Sequence, residues 1–233
     1  MTGEWPAFLT LIIFVFIHLY ANKANVLGWV WHARFLSFAA GISFAYVFID
    51  LLPTLEKGQP ILKQAIDPLV PYLDRHSYLI ALMGFLFFYG LQGVKGPSNR
   101  SFYASIAGFS LFNFFIGTSL SDVNNPDIQP LLLFSIAIGL HYFIHDHNLR
   151  EINTVLYDQI GRWILVVALI LGWLVGFFFI IPETIIDLVI AFVAGGVLLN
   201  VMRYELPKRE PGTYKFFLLG SILYTLILLQ LKA

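Results

Sequence analysis

The chain of 233 residues is 58% hydrophobic and 12% charged, with balanced acidic and basic residues, no cysteine and a mean hydropathy of +0.78. Roughly a quarter of the residues in soluble domains are charged, so this composition belongs to a membrane protein. The lack of cysteine excludes disulfides and thiolate ligands, leaving any metal to N and O atoms, and the zero formal net charge offers no footprint for nucleic acid.

The apolar residues come in runs near the roughly 20 that cross a bilayer as helix, without the strict alternation of a barrel strand. The expected fold is all-α: one integral membrane domain over 1–233, a polytopic bundle of about eight transmembrane helices. The first span covers Trp5 to Tyr20; with no basic n-region and no small-residue cleavage pattern, it reads as a retained span. The second, Phe35 to Leu52, is expected to end at Pro53. A polar connection from Thr54 to His76 follows, with Pro60, Pro68 and Pro71 interrupting a weakly amphipathic surface stretch. The third runs from Ser77 to Leu91 and stops at the turn signal Gly93 to Pro97. The fourth, Phe102 to Leu120, closes at Asn124-Asn-Pro126. The fifth begins at Pro130 and bears His141, His145 and His147, after which Asn148 to Ile160 has helical spacing and enough polarity to rest at the interface. The sixth is Trp163 to Ile181, the seventh Ile185 to Met202 and the eighth Phe216 to Leu231.

Counted by alternate loops, ten basic residues, from Lys23 and Arg34 to Lys208, Arg209 and Lys215, fall on one side, and four, Lys57, Lys63, Arg75 and Lys232, on the other. Basic residues favour the cytoplasmic side, so both termini are expected to be extracytoplasmic, in a plasma (inner) membrane.

Phe38 to Pro53 laid on Phe192 to Pro207 agrees at six of sixteen positions, including Gly41 with Gly195 and the two prolines. The second span would run outward and the seventh inward. The repeat is then inverted, spans 1–3 and 6–8 around spans 4–5, an arrangement many secondary transporters use. Gly41 and Gly195 would allow close helix contact.

His141 and His145 stand four apart, on one face of a helix, and two such imidazoles can grip a borderline cation if a neighbouring helix completes the shell. Asp146 lies about 100° around the helix from His145. In the fourth span Ser110, Asn113, Gly117 and Ser121 form a polar or small stripe, which is either a pathway wall facing the histidines or a packing face. His18 reads as a snorkelling residue, Asp50 and Asp187 as interfacial, and Trp5, Trp29, Trp31, Trp163 and Tyr204 as members of interface belts.

These residues resemble the Zrt/Irt-like (ZIP) divalent-metal transporters: eight spans, Ala39-Ala-Gly41 with Leu51-Leu-Pro53 in the second, and Ala194-Gly-Gly196 with Glu205-Leu-Pro207 in the seventh. The resemblance implies a metal site on the fourth and fifth spans. Of the family's His-Asn-x-x-Asp-Gly motif this chain keeps Asn113 and Gly117, with Phe112 in place of the His and Ile116 in place of the Asp. Of His-Glu-x-x-Glu it keeps His141, with Tyr142 and His145 in place of the carboxylates.

The metal site implied is therefore a reduced one, His141, His145 and Asn113. The resemblance implies a transporter moving Zn²⁺ or another divalent cation as substrate, without a resident cofactor; the alternative is a membrane scaffold or accessory protein that retains the fold. A haem with paired axial histidines would need His18 opposite the α-helical pair. The expected partners are the lipid bilayer, a divalent metal ion and a second copy of the chain in a homodimer. No nucleotide loop or nucleophile–base–acid set is visible, so no enzyme is expected. For the topology, a reporter fused after Ala233 is expected to be extracytoplasmic and one placed between Lys95 and Arg100 cytoplasmic; the reverse pattern in an accessibility assay would overturn the orientation.

Overall fold

The computed structural model describes residues 4–20, 29–66, 75–92, 99–121, 128–206 and 212–231, and among them every regular element is helical. The helices are α1 (Glu4–Tyr20), α2 (Trp29–Tyr46), α3 (Leu52–Ile66), α4 (His76–Gln92), α5 (Asn99–Leu120), α6 (Ile128–Ile152), α7 (Thr154–Leu156), α8 (Arg162–Phe178), α9 (Glu183–Asn200) and α10 (Thr213–Leu231). Three π-helical turns, Val47–Leu51, Tyr157–Gly161 and Val201–Glu205, join or extend them. Five helical stretches are long and apolar enough to cross a membrane, α1 and α4 contribute shorter apolar helices, and α6 has 25 residues. The protein is a helical membrane bundle. The turn signals at Gly93 to Pro97 and Asn124 to Pro126, together with Pro68, Pro71, Pro207, Lys23, Lys208 and Arg209, lie outside the described residues.

Pro60 does not interrupt the stretch after Pro53, because α3 runs through it to Ile66, and two boundaries also differ from those expected. The second span does not stop at Pro53, because the π turn carries the helix through it into α3. Leu52 N–H bonds back to Val47 O, which places the proline in the first turn of the next segment, where a missing N–H costs little. Thr54 Oγ1 donates to Asp50 O at 2.8 Å, satisfying a carbonyl on the adjoining turn. The second difference is at Asn153, which splits the helix expected from Asn148 to Ile160. Its backbone is extended (φ −155°, ψ 98°) and its side chain accepts from Leu156 N–H, so it ends α6 and caps α7. Across that corner Arg150 grips Asp158 through Nε and Nη2 at 2.9 and 3.0 Å.

Three helix pairs, α2 with α10, α4 with α9 and α5 with α8, make the closest packing in the bundle. Each uses the same device. A Phe-x-x-Gly on one helix sets its glycine against a carbonyl three residues before a glycine of the partner, and that second glycine meets the carbonyl of the Phe. Gly41 meets Phe217 O and Gly220 meets Phe38 O; Gly195 meets Ala81 O and Gly84 meets Phe192 O; Gly117 meets Leu169 O and Gly172 meets Phe114 O. Without a Cβ the backbones approach until Cα–H groups point at carbonyl oxygens. Since lipid is as apolar as leucine, such close packing is what holds helices together in a bilayer.

The α2–α10 and α4–α9 crossings also match in register: Gly41 and Phe38 correspond to Gly195 and Phe192 at the offset at which their sequences agree. The π turns Val47–Leu51 and Val201–Glu205 fall at that same offset. The fourth-span stripe divides. Gly117 and Ser121 pack on α8, Ser121 Oγ lying against Gly176, while Asn113 turns elsewhere. Replacing Gly84 or Gly195 by Ala is expected to cost about 1–3 kcal/mol by overpacking. Gly90→Ala on the same helix as Gly84, with open space around it, is expected to leave unfolding in detergent unchanged.

Candidate functional site

Where α1, α5 and α6 meet, five side chains that can carry charge or hydrogen bonds are withdrawn from solvent: His18, Asn113, His141, His145 and Asp146 are each no more than 3% exposed. Two adjacent faces of α6 supply most of them. His141 and His145 point to α5, where their rings lie 5.6 Å from Phe112 and 4.2 Å from Phe109, and 4.3 Å from each other. Tyr142 and Asp146, also four apart, face α1, and the Tyr142 ring sits 4.5 Å from that of His18.

His18 is the centre of a three-helix chain of hydrogen bonds. Its Nδ1 is 2.8 Å from Asp146 Oδ2 and its Nε2 is 2.8 Å from Asn113 Oδ1. Asn113 Nδ2 donates to Phe109 O at 2.8 Å, which fixes the amide: turned over, it would set Oδ1 against another carbonyl oxygen. Nε2 must therefore be the donor to Asn113. The Nδ1···Oδ2 contact then holds one proton, on the ring in an imidazolium–carboxylate pair or on the acid in a neutral pair. Either way the pair is neutral overall, the state a buried ionisable group requires.

The end of α1 is held from the other side. Tyr157, on the π turn after α7, donates to His18 O at 3.4 Å, and Arg162 Nη1 reaches Leu19 O at 3.5 Å. These donors meet carbonyls that the last turn of a helix leaves without intrahelical partners. Deeper in the α1–α6 contact, Thr10 and Ser135 share a hydrogen bond of 2.9 Å.

His141, His145 and Asn113, the residues expected to bind metal, all lie in this cluster, but Asn113 spends both ends of its amide on His18 and Phe109. Among the described residues no three or more His, Asp or Glu side chains are grouped as a metal shell. A haem between His18 and α6 does not fit, because both nitrogens of His18 are engaged. Phe112 and Ile116, at the positions where the resemblance places a His and an Asp, are 1% and 4% exposed and so face the protein interior. His147 lies apart from the cluster, partly exposed and 3.6 Å from Glu151. Asp187 is half-buried beside Gly58, where a side chain added to that glycine would meet its carboxylate.

Two central residues do not have the roles expected of them. His18 is buried against α6 instead of snorkelling to the surface, and Asp146, one residue beyond the histidine face, is its partner. The missed signal was a lone His in the first span and an Asp at i+4 from Tyr142, which acquire meaning only once α1 is placed beside α6. No protein-family model matches this chain, and no curated protein matches it.

Removing one member of a buried pair leaves the other uncompensated, so His18→Leu or Asp146→Leu alone is expected to cost about 3–5 kcal/mol. The double variant should recover much of that loss. Thermal unfolding of the four proteins in detergent measures the coupling, and additive single effects would deny it.

Proposed function

We propose that the protein is a membrane transporter, ZIP-like in arrangement, with its polar centre at the meeting of α1, α5 and α6. The observation that carries this reading is the burial of His18, Asp146, His141 and His145 inside a membrane bundle, because ionisable groups there are costly and mark pathways for ions or protons. The cargo is a divalent cation such as Zn²⁺, taken at the His141–His145 pair as it passes. Imidazoles four residues apart on one face suit a borderline cation, and at least two further donors must come from elsewhere.

An inverted repeat of spans 1–3 and 6–8 about α5 and α6 belongs to the same reading. Its support is the register match of the two glycine crossings and of the two π turns, none of which follows from apolar composition alone. In that scheme α1 with α6 corresponds to α8 with α5. The former contact is built on hydrogen bonds and the latter on glycines, so any motion that opens a pathway would part the polar pair.

The second reading is a scaffold or accessory protein that does not transport. It is favoured by Phe112 and Ile116, whose apolar side chains fill interior positions where the resemblance calls for ligands.

Uptake of Zn²⁺ by purified protein in vesicles tests the two. Transport is expected to be slow, to vanish in His141→Ala/His145→Ala, and to rise when Phe112→His, Ile116→Asp and His145→Glu are combined. An Asp facing lipid at a helix centre costs about 2.5–3.5 kcal/mol, but position 116 faces inward, so this variant is expected to insert. Normal expression with no gain in zinc binding would remove the transporter reading's main support.

A further inference from the structure

Asp146 and Arg150 stand four apart on α6, and both are paired across one seam. Asp146 meets His18 of α1 in a space closed to solvent; Arg150 meets Asp158 of the π turn, with side chains 28% and 31% exposed. The facing wall is one unit there, because Tyr157 and Arg162 reach the carbonyls of His18 and Leu19 at the end of α1. The other wall is α6. Between them Asn153 is extended (φ −155°, ψ 98°) in an otherwise helical run, the kind of element-terminal position that absorbs a hinge rotation.

The cover over the cluster differs between its two faces. Toward the start of α1 and α6 lie Phe14, Ile116, Leu120 and Leu133, members of the main apolar core and at most 6% exposed. Toward the ends of α1 and α6 the stretch from Thr154 to Gly161 is wall and surface at once. Tyr157 within it is fully buried and faces His18 O and the Asp146 carboxylate, whereas Val155 and Ile160 are 60% and 44% exposed. One layer of chain separates cluster from exterior at this stretch, and the Arg150–Asp158 pair clips it to α6.

We propose that the polar cluster opens along this seam, at the face where α1 and α6 end, with Arg150–Asp158 as the latch and Asn153 as the hinge. The inference rests on the transporter reading only in taking the seam as the route by which cargo reaches the cluster.

Partly exposed ion pairs are worth little and are screened by salt, so the latch parts without unfolding the bundle. Asp146 lies one turn from Arg150 on the same helix and swings with it, so the inner pair opens as the outer one does. Water entering through the parted latch then supplies the hydrogen bonds that His18 and Asp146 lose, a replacement that hydrocarbon cannot make.

The chain has no cysteine, so one introduced thiol reports access without background. In the full-length protein His145→Cys places it in the cluster, and Ser135→Cys places it at the Thr10 contact, deeper on the α1–α6 boundary. Each is combined with Arg150→Gln, Asp158→Asn or Asp158→Glu and purified in detergent, and modification by uncharged methyl methanethiosulfonate is timed by mass spectrometry. Losing a partly exposed pair changes an equilibrium by about two- to fivefold, so Arg150→Gln and Asp158→Asn should each speed His145→Cys by that factor. Asp158→Glu should keep most of the wild-type rate, and Ser135→Cys should be unaffected in every background. Since Arg150→Gln and Asp158→Asn change the local charge in opposite directions, a shared acceleration reports access and not thiol reactivity.

Unchanged rates in both latch variants, or rates moved in opposite directions, overturn the proposal. An equal rise at Ser135→Cys does so too, because it reports general loosening, as does misfolding of both latch variants, because the pair would then hold the fold and not a seam. The transporter reading stands or falls separately: vesicles silent in zinc uptake, with the seam opening as expected, would sink that reading alone. Uptake by wild type with thiol rates unmoved would sink this inference and leave transport intact.

Discussion

The rest of the bundle is arranged around a requirement to satisfy one buried imidazole. His18 reaches Asp146 on α6 and Asn113 on α5, and each of those bonds is short. Asn113 is oriented in turn by the carbonyl of Phe109 four residues back. In hydrocarbon no water can replace a lost partner, so a few directed bonds specify the position of α1 against α5 and α6 together with the apolar packing of Leu11 and Phe14. The aromatic rings of Phe109, Phe112 and Tyr142 line the surroundings, keep the cluster dry and strengthen those bonds by lowering the local dielectric.

Elsewhere the bundle is assembled by the opposite means. At the three glycine crossings backbones touch, with carbonyl oxygens over Cα–H groups, and at the α2–α10 crossing Ser221 Oγ donates to Gly41 O at 3.1 Å beside that contact. Such contacts are individually weak, but they are numerous along a crossing, and any added methyl group is excluded by backbone atoms that cannot move aside. Directed bonds define the α1 contacts and steric fit defines the three glycine pairs. Thr118 joins the two modes, its hydroxyl donating to Phe114 O at 2.9 Å and lying 3.3 Å from Gly172 O at the α5–α8 contact.

Much of this could be read from the chain. Composition and run length gave the helical membrane class, and the glycines and prolines shared by Phe38 to Pro53 and Phe192 to Pro207 marked two positions, Gly41 and Gly195, that do carry close contacts. Pro53 reads as a stop in the sequence, whereas a π turn before it shifts the hydrogen-bond pattern so that the helix continues. Asn153 looked like an unremarkable polar residue in a helical pattern, yet its side chain competes for the backbone and starts a new helix.

The site was half legible for a geometric reason. Spacing on single helices, which fixes angles about one axis, marks the His141–His145 pair and puts Asn113 on a polar stripe, and only the family resemblance adds Asn113 to the site. Asp146 lies about 100° from His145, an angle that separates it from the histidine face and says only that it faces a different neighbour. His18, alone on the first span, had no local pattern from which to infer that neighbour.

The π turn at Tyr157–Gly161 connects the polar cluster to the rest of the chain. It follows the Asn153 break closely, and the Arg150–Asp158 ion pair braces it against α6. From that fixed corner Tyr157 reaches the carbonyl of His18 and Arg162 that of Leu19. Tyr157 is fully buried, held among Phe102, Ile106 and Leu165, so its hydroxyl cannot follow α1 if α1 moves. The helix that bears the central imidazole is therefore clasped at its end by the same element that begins α8. Since α8 is locked to α5 through Gly117 and Gly172, Asn113 and the clasp on α1 belong to one rigid pair of helices. Displacing His18 from Asn113 must then break the two long contacts at the end of α1 as well as the short one to the amide, while leaving α5 and α8 together. The two ends of α1's last turn are thus tied to the same body, the ring through α5 and the carbonyls through α8, and the Arg150–Asp158 pair ties α6, which carries Asp146, to the same corner.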